Sequence, residues 1–358
     1  MSDSASKAAS SGAARAIHMP QLDGVRGLAI LAVIVWHFDP WSSGYVAWGP
    51  IGVRMFFVMG AFLVTGSLLR ARDAVASGKQ TLGGAARAFF TGRAIRIVPA
   101  YYLTIAVGLA LGQASMWDPL VWHLLFATNL YIGIEQTVPA SAHFWFLGAQ
   151  EQFYLFWPFF VILAPRRALI PACFAMMVLA LAARMASVLD VASMYWYFAS
   201  PFSYLDAIGL GALIAFLSRE GRRDVLAWLS APGMGWVAAV LFLLGGVGTQ
   251  FVYGTPVGTL CETAMSLAFA WLVIGAMRGF TGAGRAILQW PPLIYTGVIS
   301  YGLYIVHPFL WHFVQWLGVT NYPAALAGTV LSFAVASLSW HFFEKPIAVT
   351  FANRRARP

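Results

Sequence analysis

The sequence predicts an all-α polytopic membrane protein with about ten transmembrane helices and with both termini in the cytoplasm. Of the 358 residues, 60% are hydrophobic and 10% are charged, whereas a soluble domain carries about 25% charged residues. The mean hydropathy is +0.74. Most of the apolar runs are long enough to cross about 30 Å of hydrocarbon. They fall at about 25–40, 51–69, 97–115, 144–164, 168–187, 202–218, 232–249, 258–277, 292–316 and 323–343.

The basic residues predict the orientation of the helices. With the N-terminus in the cytoplasm and ten crossings, the cytoplasmic segments hold 20 of the 22 Lys and Arg residues. This asymmetry is the one that the positive-inside rule describes. Only Arg54 and Arg184 fall elsewhere. The net charge of +9 therefore reflects the topology, and we do not expect nucleic acid as a partner.

One apolar segment does not fit the ten predicted crossings. The segment 116–134 is apolar enough to span, but counting it as a crossing would place the later arginines outside. We expect it to form a re-entrant or interfacial helix on the outer side.

Cys173 and Cys261 both lie in apolar stretches, so the sequence predicts neither a disulfide framework nor a metal site.

Three arginines lie at the predicted cytoplasmic ends of helices. Arg26 and His37 are eleven positions apart, which places them on one helix face, within about 20° of each other and about 16 Å apart along the axis. Arg93 and Arg96 are three positions apart and also share a face. Such guanidinium groups can hold phosphates bidentately. The alternative is that they only anchor helix ends at the cytoplasmic surface.

Four ionisable side chains fall in the predicted outer half of the bilayer, where charged groups are costly and indicate function by default. They are His37, Arg54, Glu151 and His307. A single buried histidine is more often a structural group, but several such groups at similar depth favour a polar cavity. A histidine there would suit a general base near neutral pH, with a carboxylate beside it to fix its tautomer. A thioester donor with a long flexible arm would connect this region to the arginines.

Six segments along the chain carry distinctive motifs. In LDGVRGLAILAVIVWHF (22–38), ten residues separate an Arg from a His. The others are GVRMFFVMGAFLVTG (52–66), RAIRIVPAYYL (93–103), HFWFLGAQEQFYLFWP (143–158), ISYGLYIVHP (299–308) and FEKP (343–346). In this order they resemble segments of the bacterial membrane acyltransferase-3 family of sugar O-acyltransferases, whose signature is an Arg and a His separated by ten residues. The resemblance covers nearly the entire chain, and the ordered set is far more specific than any single motif.

The resemblance implies ten helices and an enzyme that moves acyl groups from cytoplasmic acyl-CoA to hydroxyls of glycans or related molecules. His37 would be the catalytic base, and Arg26, Arg93 and Arg96 would lie on the CoA side. No bound cofactor is expected; acyl-CoA, with acetyl-CoA as the default, is a co-substrate. The expected organisation is a flexible cytoplasmic tail at 1–20, a transmembrane acyltransferase domain at 21–347 and a basic cytoplasmic tail at 348–358.

The chain departs from the family pattern at two positions. Arg54 stands where the family usually has an acidic residue, which would suit an acidic acceptor or an acidic acyl group such as succinyl. Gln150 stands where the family usually has a Glu, and Glu151 lies one residue and about 100° further round the helix. Either Glu151 reaches the site by a local distortion, or another group replaces it, or catalysis is impaired. Gln150 can hydrogen-bond a histidine but cannot stabilise an imidazolium by charge.

The leading hypothesis is an integral-membrane O-acyltransferase of the bacterial inner (plasma) membrane. His37 would take a proton from an acceptor hydroxyl, and Tyr301, Gln152 or Arg54 would stabilise the anionic transition state, together with His307 as a further contact. A relayed transfer through a protein group stays open. The expected partners are membrane lipid, acyl-CoA and a glycan or lipid-linked saccharide. The alternatives are a proton-coupled exporter, with His37, Glu151 and His307 as a relay, and a non-catalytic protein of the same fold.

Overall fold

The computed structural model describes residues 19–39, 41–189 and 192–355, and within these ranges all regular secondary structure is helical. Most of the predicted N-terminal tail, residues 1–18, and the end of the predicted C-terminal tail, residues 356–358, lie outside the described residues. The prediction of an all-α protein is confirmed.

Eighteen α-helices follow one another in the described residues. They are α1 Pro20–Phe38, α2 Trp48–Ala76, α3 Leu82–Ala110, α4 Leu120–Leu124, α5 Thr128–Glu135, α6 Trp145–Leu163, α7 Arg166–Val188, α8 Met194–Ala199, α9 Leu205–Arg219, α10 Arg223–Leu229, α11 Pro232–Leu243, α12 Thr249–Val252, α13 Pro256–Arg278, α14 Gly282–Leu288, α15 Pro291–Val298, α16 Ser300–Trp316, α17 Asn321–Ser339 and α18 Lys345–Arg355. π-helical turns at Leu244–Gly248 and Trp340–Glu344 join α11 to α12 and α17 to α18.

The chain is a multi-pass membrane protein, but the number of spans differs from the prediction of about ten. By length and composition, the described residues contain eight helices able to cross a membrane, or nine if α15 and α16, which meet at 76°, form one broken span. The helix α6 makes the difference. It is 19 residues long, as long as α1, but it carries the consecutive polar residues Gln150, Glu151 and Gln152. At the other end of the chain, the predicted tail from residue 348 is helical as far as Arg355.

The segment expected to form one re-entrant or interfacial helix instead forms two short ones. The helices α4 and α5 have five and eight residues, which is about 8 Å and about 12 Å of axial length, so neither crosses a membrane. Between them Phe126 adopts φ +53°, a left-handed conformation that breaks the helix. The buried His123 holds the break, because its Nδ1 lies 2.7 Å from the Thr128 hydroxyl and its Nε2 lies 3.0 Å from the Ser141 hydroxyl.

The helices α1 and α2 form the centre of the bundle. The longer of the two, α2, packs against α1, α6, α9 and α13, and α1 packs in turn against α15 and α16. Glycines permit the closest of these approaches. A Cβ atom on Gly297 of α15 would lie 1.9 Å from the backbone oxygen of Asp23 on α1. Small residues at helix interfaces allow backbones to approach closely in membrane proteins. Here the close contact at Gly297 holds the first turns of α1, which carry Arg26, against α15.

Four buried charged side chains join α2 to three other helices; we call them the ion quartet. They are Arg54 of α2, Arg184 of α7, Asp206 of α9 and Glu262 of α13. Arg54 Nη1 lies 3.0 Å from Asp206 Oδ1, and Arg54 Nη2 donates to Glu262 Oε2. Arg184 Nη1 lies 3.1 Å from Asp206 Oδ2. The two arginines that broke the positive-inside pattern are therefore neutralised by two carboxylates inside the bundle.

Removing one carboxylate from the ion quartet is expected to destabilise the protein strongly. Asp206→Asn keeps the side-chain shape but leaves two buried guanidinium groups to share Glu262, so unfolding in detergent should become easier by about 3–5 kcal/mol. Asp224→Asn is the matched control, because its partner Arg222 lies 3.8 Å away and both side chains are more than half exposed. That change should cost at most about 1 kcal/mol. Equal stability of the two variants would contradict this account.

Candidate active site

A cavity of about 390 Å³ lies between α2, α3, α6 and α16, and Arg26 of α1 also reaches it. We call it the arginine cavity. Residues of α2 such as Met59 and Leu63 form an apolar wall. The polar side chains that line the cavity are Arg26, Ser67, Arg93, Arg96, Gln150, Tyr154, Ser300, Tyr301 and Tyr304. The structure therefore brings five of the predicted site residues to one cavity, namely Arg26, Arg93, Arg96, Gln150 and Tyr301.

The three arginines differ in how firmly they are held. Arg93 forms a two-pronged ion pair with Glu151, with its Nε 2.9 Å from Oε2 and its Nη2 2.5 Å from Oε1. Its guanidinium also lies 3.8 Å from the centre of the Tyr154 ring. Arg26 approaches Asp23 only to 3.9 Å, and the side chain of Arg96 is exposed to the cavity. Glu151, Asp23 and Glu344 lie near these cations, but the charged side chains that line the cavity are all arginines, so its surface favours an anion.

The three consecutive polar residues of α6 face three different ways, as a rotation of about 100° per residue requires. Gln150 lines the cavity and accepts a hydrogen bond from Arg93 Nη2 at 3.4 Å. Glu151 pairs with Arg93 rather than with a histidine. Gln152 turns toward α5, where it exchanges hydrogen bonds of 2.8 and 2.9 Å with the side chain of Asn129. Only Gln150 among them faces the arginine cavity.

Beyond the cavity, three histidines from different parts of the chain meet; we call them the histidine cluster. The ring centres of His37 and His307 are 4.9 Å apart, and those of His143 and His307 are 5.8 Å apart. His37 is exposed on the last turn of α1, whereas His143 and His307 are buried. Sequence reasoning missed His143 as a site residue. Its signal was available, since it lies seven positions before Gln150, in the turn that leads into α6.

Hydrogen bonds fix the chain immediately after His37. The Asp39 carboxylate accepts from the Ser42 hydroxyl at 2.7 Å and from the backbone N–H of Trp41 at 2.9 Å. These bonds lower the pKa of the Asp39 carboxyl, the Ser42 hydroxyl contributing most, because they stabilise its charged form. The last turn of α1 is therefore anchored, and so is the position of the His37 backbone.

Tyr304 separates the arginine cavity from the histidine cluster. Its ring lines the cavity, and the ring centre is 6.0 Å from that of His307 and 5.9 Å from that of His143. Its hydroxyl donates to the backbone oxygen of His143. The two parts of the site therefore adjoin across one tyrosine, and α1 supplies Arg26 to one part and His37 to the other, about 16 Å apart.

Three of the predicted transition-state contacts are occupied elsewhere. Arg54 belongs to the ion quartet, and Gln152 is bound to Asn129. Tyr301 does line the cavity, but its hydroxyl donates to the backbone oxygen of Ile97 at 2.7 Å. Among the residues that the structure describes, no group of three or more His, Cys, Asp or Glu side chains is arranged to hold a metal ion.

Comparison with known proteins defines the class of this protein. The family model of the acyltransferase domain, acyltransferase-3, matches residues 19–341, and the chain therefore belongs to this family. No solved structure matches the chain significantly.

The chain is also similar to three named bacterial proteins. The chain is 27% identical over 369 residues to the "Putative peptidoglycan O-acetyltransferase YrhL" of Bacillus subtilis, covering 92% of this chain and 55% of the relative. It is 26% identical over 364 residues to the peptidoglycan O-acetyltransferase OatA of Listeria monocytogenes, covering 92% and 56%. To the O-acetyltransferase OatA of Staphylococcus aureus it is 24% identical over 372 residues, covering 92% and 57%. The chain thus spans a little over half the length of these relatives.

Proposed function

We propose that the protein is a membrane O-acyltransferase that moves an acetyl group from cytoplasmic acetyl-CoA to a hydroxyl of a cell-surface glycan. The observation that carries this proposal is the convergence of three arginines on a cavity that adjoins a histidine cluster. Membership of the acyltransferase-3 family and the names of the relatives support it. In this reading the protein resides in the bacterial inner (plasma) membrane with both termini in the cytoplasm, and the acceptor is a glycan or a lipid-linked saccharide.

The arginine cavity is suited to the anionic part of the donor. CoA carries several phosphates, and guanidinium groups bind phosphates through paired hydrogen bonds. Arg96 is exposed and Arg26 makes only the 3.9 Å contact with Asp23, whereas Glu151 fixes the orientation of Arg93. The flexible arm of the donor then runs along the apolar wall of α2 toward Tyr304, and its thioester arrives at the boundary with the histidine cluster.

His37 is suited to the proton transfer. As the exposed member of the histidine cluster it accepts the proton of the acceptor hydroxyl, whose oxygen then attacks the thioester carbonyl. The carbon–sulfur bond breaks, and the leaving thiolate takes the proton back from the imidazolium. Gln150 is the polar residue of α6 that lines the cavity, and its amide is the donor that we assign to the developing oxyanion.

Loss of His37 is expected to abolish transfer. Membranes carrying His37→Ala should incorporate label from acetyl-CoA into glycan roughly 100-fold more slowly than wild type or worse, because no other base of the cluster is exposed. The measurement is radiolabel in the glycan fraction with protein levels matched. His341→Ala is the control, since this exposed histidine contacts Tyr295 away from the cavity. Undiminished labelling by His37→Ala would remove His37 from the mechanism.

The charge of the cavity is expected to control donor binding. CoA should raise the unfolding temperature of the purified wild type, because a ligand that binds only the folded state stabilises it. Gln150→Glu adds a second carboxylate beside Arg93 and should weaken CoA binding roughly tenfold, as Arg96→Ala should. Arg166→Ala is the control, because its side chain is 69% exposed and pairs with Asp73 at a helix end. A CoA response that is identical in all four proteins would place the donor elsewhere.

A further inference from the structure

The sequence His307-Pro308 fixes which nitrogen of His307 carries its hydrogen. In a regular helix the N–H of residue 308 would donate to the backbone oxygen of Tyr304, but proline has no N–H. His307 Nδ1 lies 2.9 Å from that oxygen and 3.0 Å from the backbone oxygen of Leu303. Carbonyl oxygens only accept, so Nδ1 must donate and must hold the ring hydrogen. Because Pro308 has no N–H, the backbone oxygen of Tyr304 is left without its helical partner, and the ring of His307 donates to it instead.

The other nitrogen of His307 is an unused acceptor. With the hydrogen on Nδ1, the neutral ring presents a lone pair on Nε2. This atom is buried, and no donor among the described residues reaches it. Buried polar atoms in native proteins nearly always have a partner, so an isolated one needs an explanation. The ring nearest to His307 is that of His37, 4.9 Å away between centres and at an angle of 64°.

The positions of the two rings define their order. His37 is exposed and stands in front, whereas His307 is completely buried behind it. A substrate can therefore touch His37 but cannot touch His307 Nε2. Hydrogen bonds between catalytic groups are often long until the substrate is in place, and a side-chain rotation of the exposed His37 would close this one.

We propose that His307 is a positioning residue that accepts a hydrogen bond from His37. The bond would hold one nitrogen of His37 as the donor to His307 Nε2 and direct the lone pair of the other toward the acceptor hydroxyl. This is the task that a carboxylate performs in a Ser-His-Asp triad. Here Glu151, the carboxylate predicted for this task, is engaged by Arg93, and Gln150 carries no charge. Asp39, two positions after His37, is bound by the Ser42 hydroxyl and the backbone N–H of Trp41. A neutral histidine therefore takes the place of the orienting carboxylate.

The proton balance of the reaction is unchanged by this arrangement, which rests on the proposed function for its chemistry. The acceptor hydroxyl gives its proton to the free nitrogen of His37, and the oxygen–carbon bond forms as the carbon–sulfur bond breaks. The positive charge on His37 is stabilised because its other N–H donates to His307 Nε2. The proton then passes to the departing thiolate, and both rings return to their neutral forms.

The reactivity of His37 toward diethyl pyrocarbonate tests the contact without any assay of transfer. A ring whose N–H donates to an acceptor is a stronger nucleophile at its other nitrogen. In the full chain in detergent at fixed pH, mass spectrometry should show His37 modified several-fold more slowly in His307→Leu than in wild type. His307→Gln, whose amide oxygen can accept the same hydrogen bond, should restore most of the rate. His341→Leu, an exposed histidine that contacts Tyr295, should leave it unchanged.

The direction of the change separates this proposal from a packing role. If His307 only fills space, removing it would leave the rate at His37 unchanged or raise it through greater exposure, and either result would overturn the proposal. Should His307→Leu fail to fold, Pro308→Ala serves instead. That variant returns a backbone N–H to Tyr304 and competes with the ring of His307, so it should also slow the modification of His37. An unchanged rate in Pro308→Ala would then count against the proposal.

The transfer reaction gives a second, separable readout. His307→Leu should lower kcat roughly tenfold with KM for acetyl-CoA unchanged, and His307→Gln should recover part of it, since loss of an orienting partner typically costs 10- to 100-fold in activity. Equal losses in the two variants would contradict a positioning role. If the wild type transfers no acetyl group while the modification rates follow the expected pattern, the proposed function fails and the His37–His307 contact stands.

Discussion

The ion quartet is the constraint on which the arrangement of the bundle depends. A charge inside a membrane protein is tolerated only with a partner, and Arg54 finds two carboxylates on helices that follow it far along the chain. These contacts fix the rotation of α2 against α9 and α13. Because that rotation is fixed, the opposite side of α2, with Met59 and Leu63, forms the wall of the arginine cavity. The ion quartet and the arginine cavity therefore lie on opposite sides of α2.

Local periodicity was sufficient to predict that Arg93 and Arg96 share one helix face, and both line the arginine cavity. The eleven-residue spacing of Arg26 and His37 and the three-residue spacing of Arg93 and Arg96 depend only on helix geometry, and each pair lies along its helix as that geometry requires. The all-α class followed from composition in the same way. The count of spans was less predictable, because α6 is long enough to cross but contains polar residues that serve the site.

Contacts between distant segments could not be predicted. Arg54 and Asp206 are 152 positions apart, and Arg93 and Glu151 are 58 apart. A single sequence read on its own contains no signal for such pairs. We therefore expected Arg54 to contact the substrate and Glu151 to lie beside a histidine. The presence of Gln150 where the family usually has Glu also has a different consequence from the one expected, which was the loss of a carboxylate beside a histidine. It lowers the negative charge around Arg93 and does not remove a neighbour of His37, whose nearest ring is that of His307.

The weak packing of α3 has a consequence for how such a protein can diversify. Only 28% of the apolar stretch of α3 is buried, against 67% for α2. Substitutions on a surface helix usually change the free energy of unfolding little, whereas those in a core change it by several kcal/mol. Arg93 and Arg96, two of the three cations of the cavity, lie on this lightly packed helix. A substitution at the exposed Arg96 can therefore change the charge of the cavity while the packed centre of the bundle is kept.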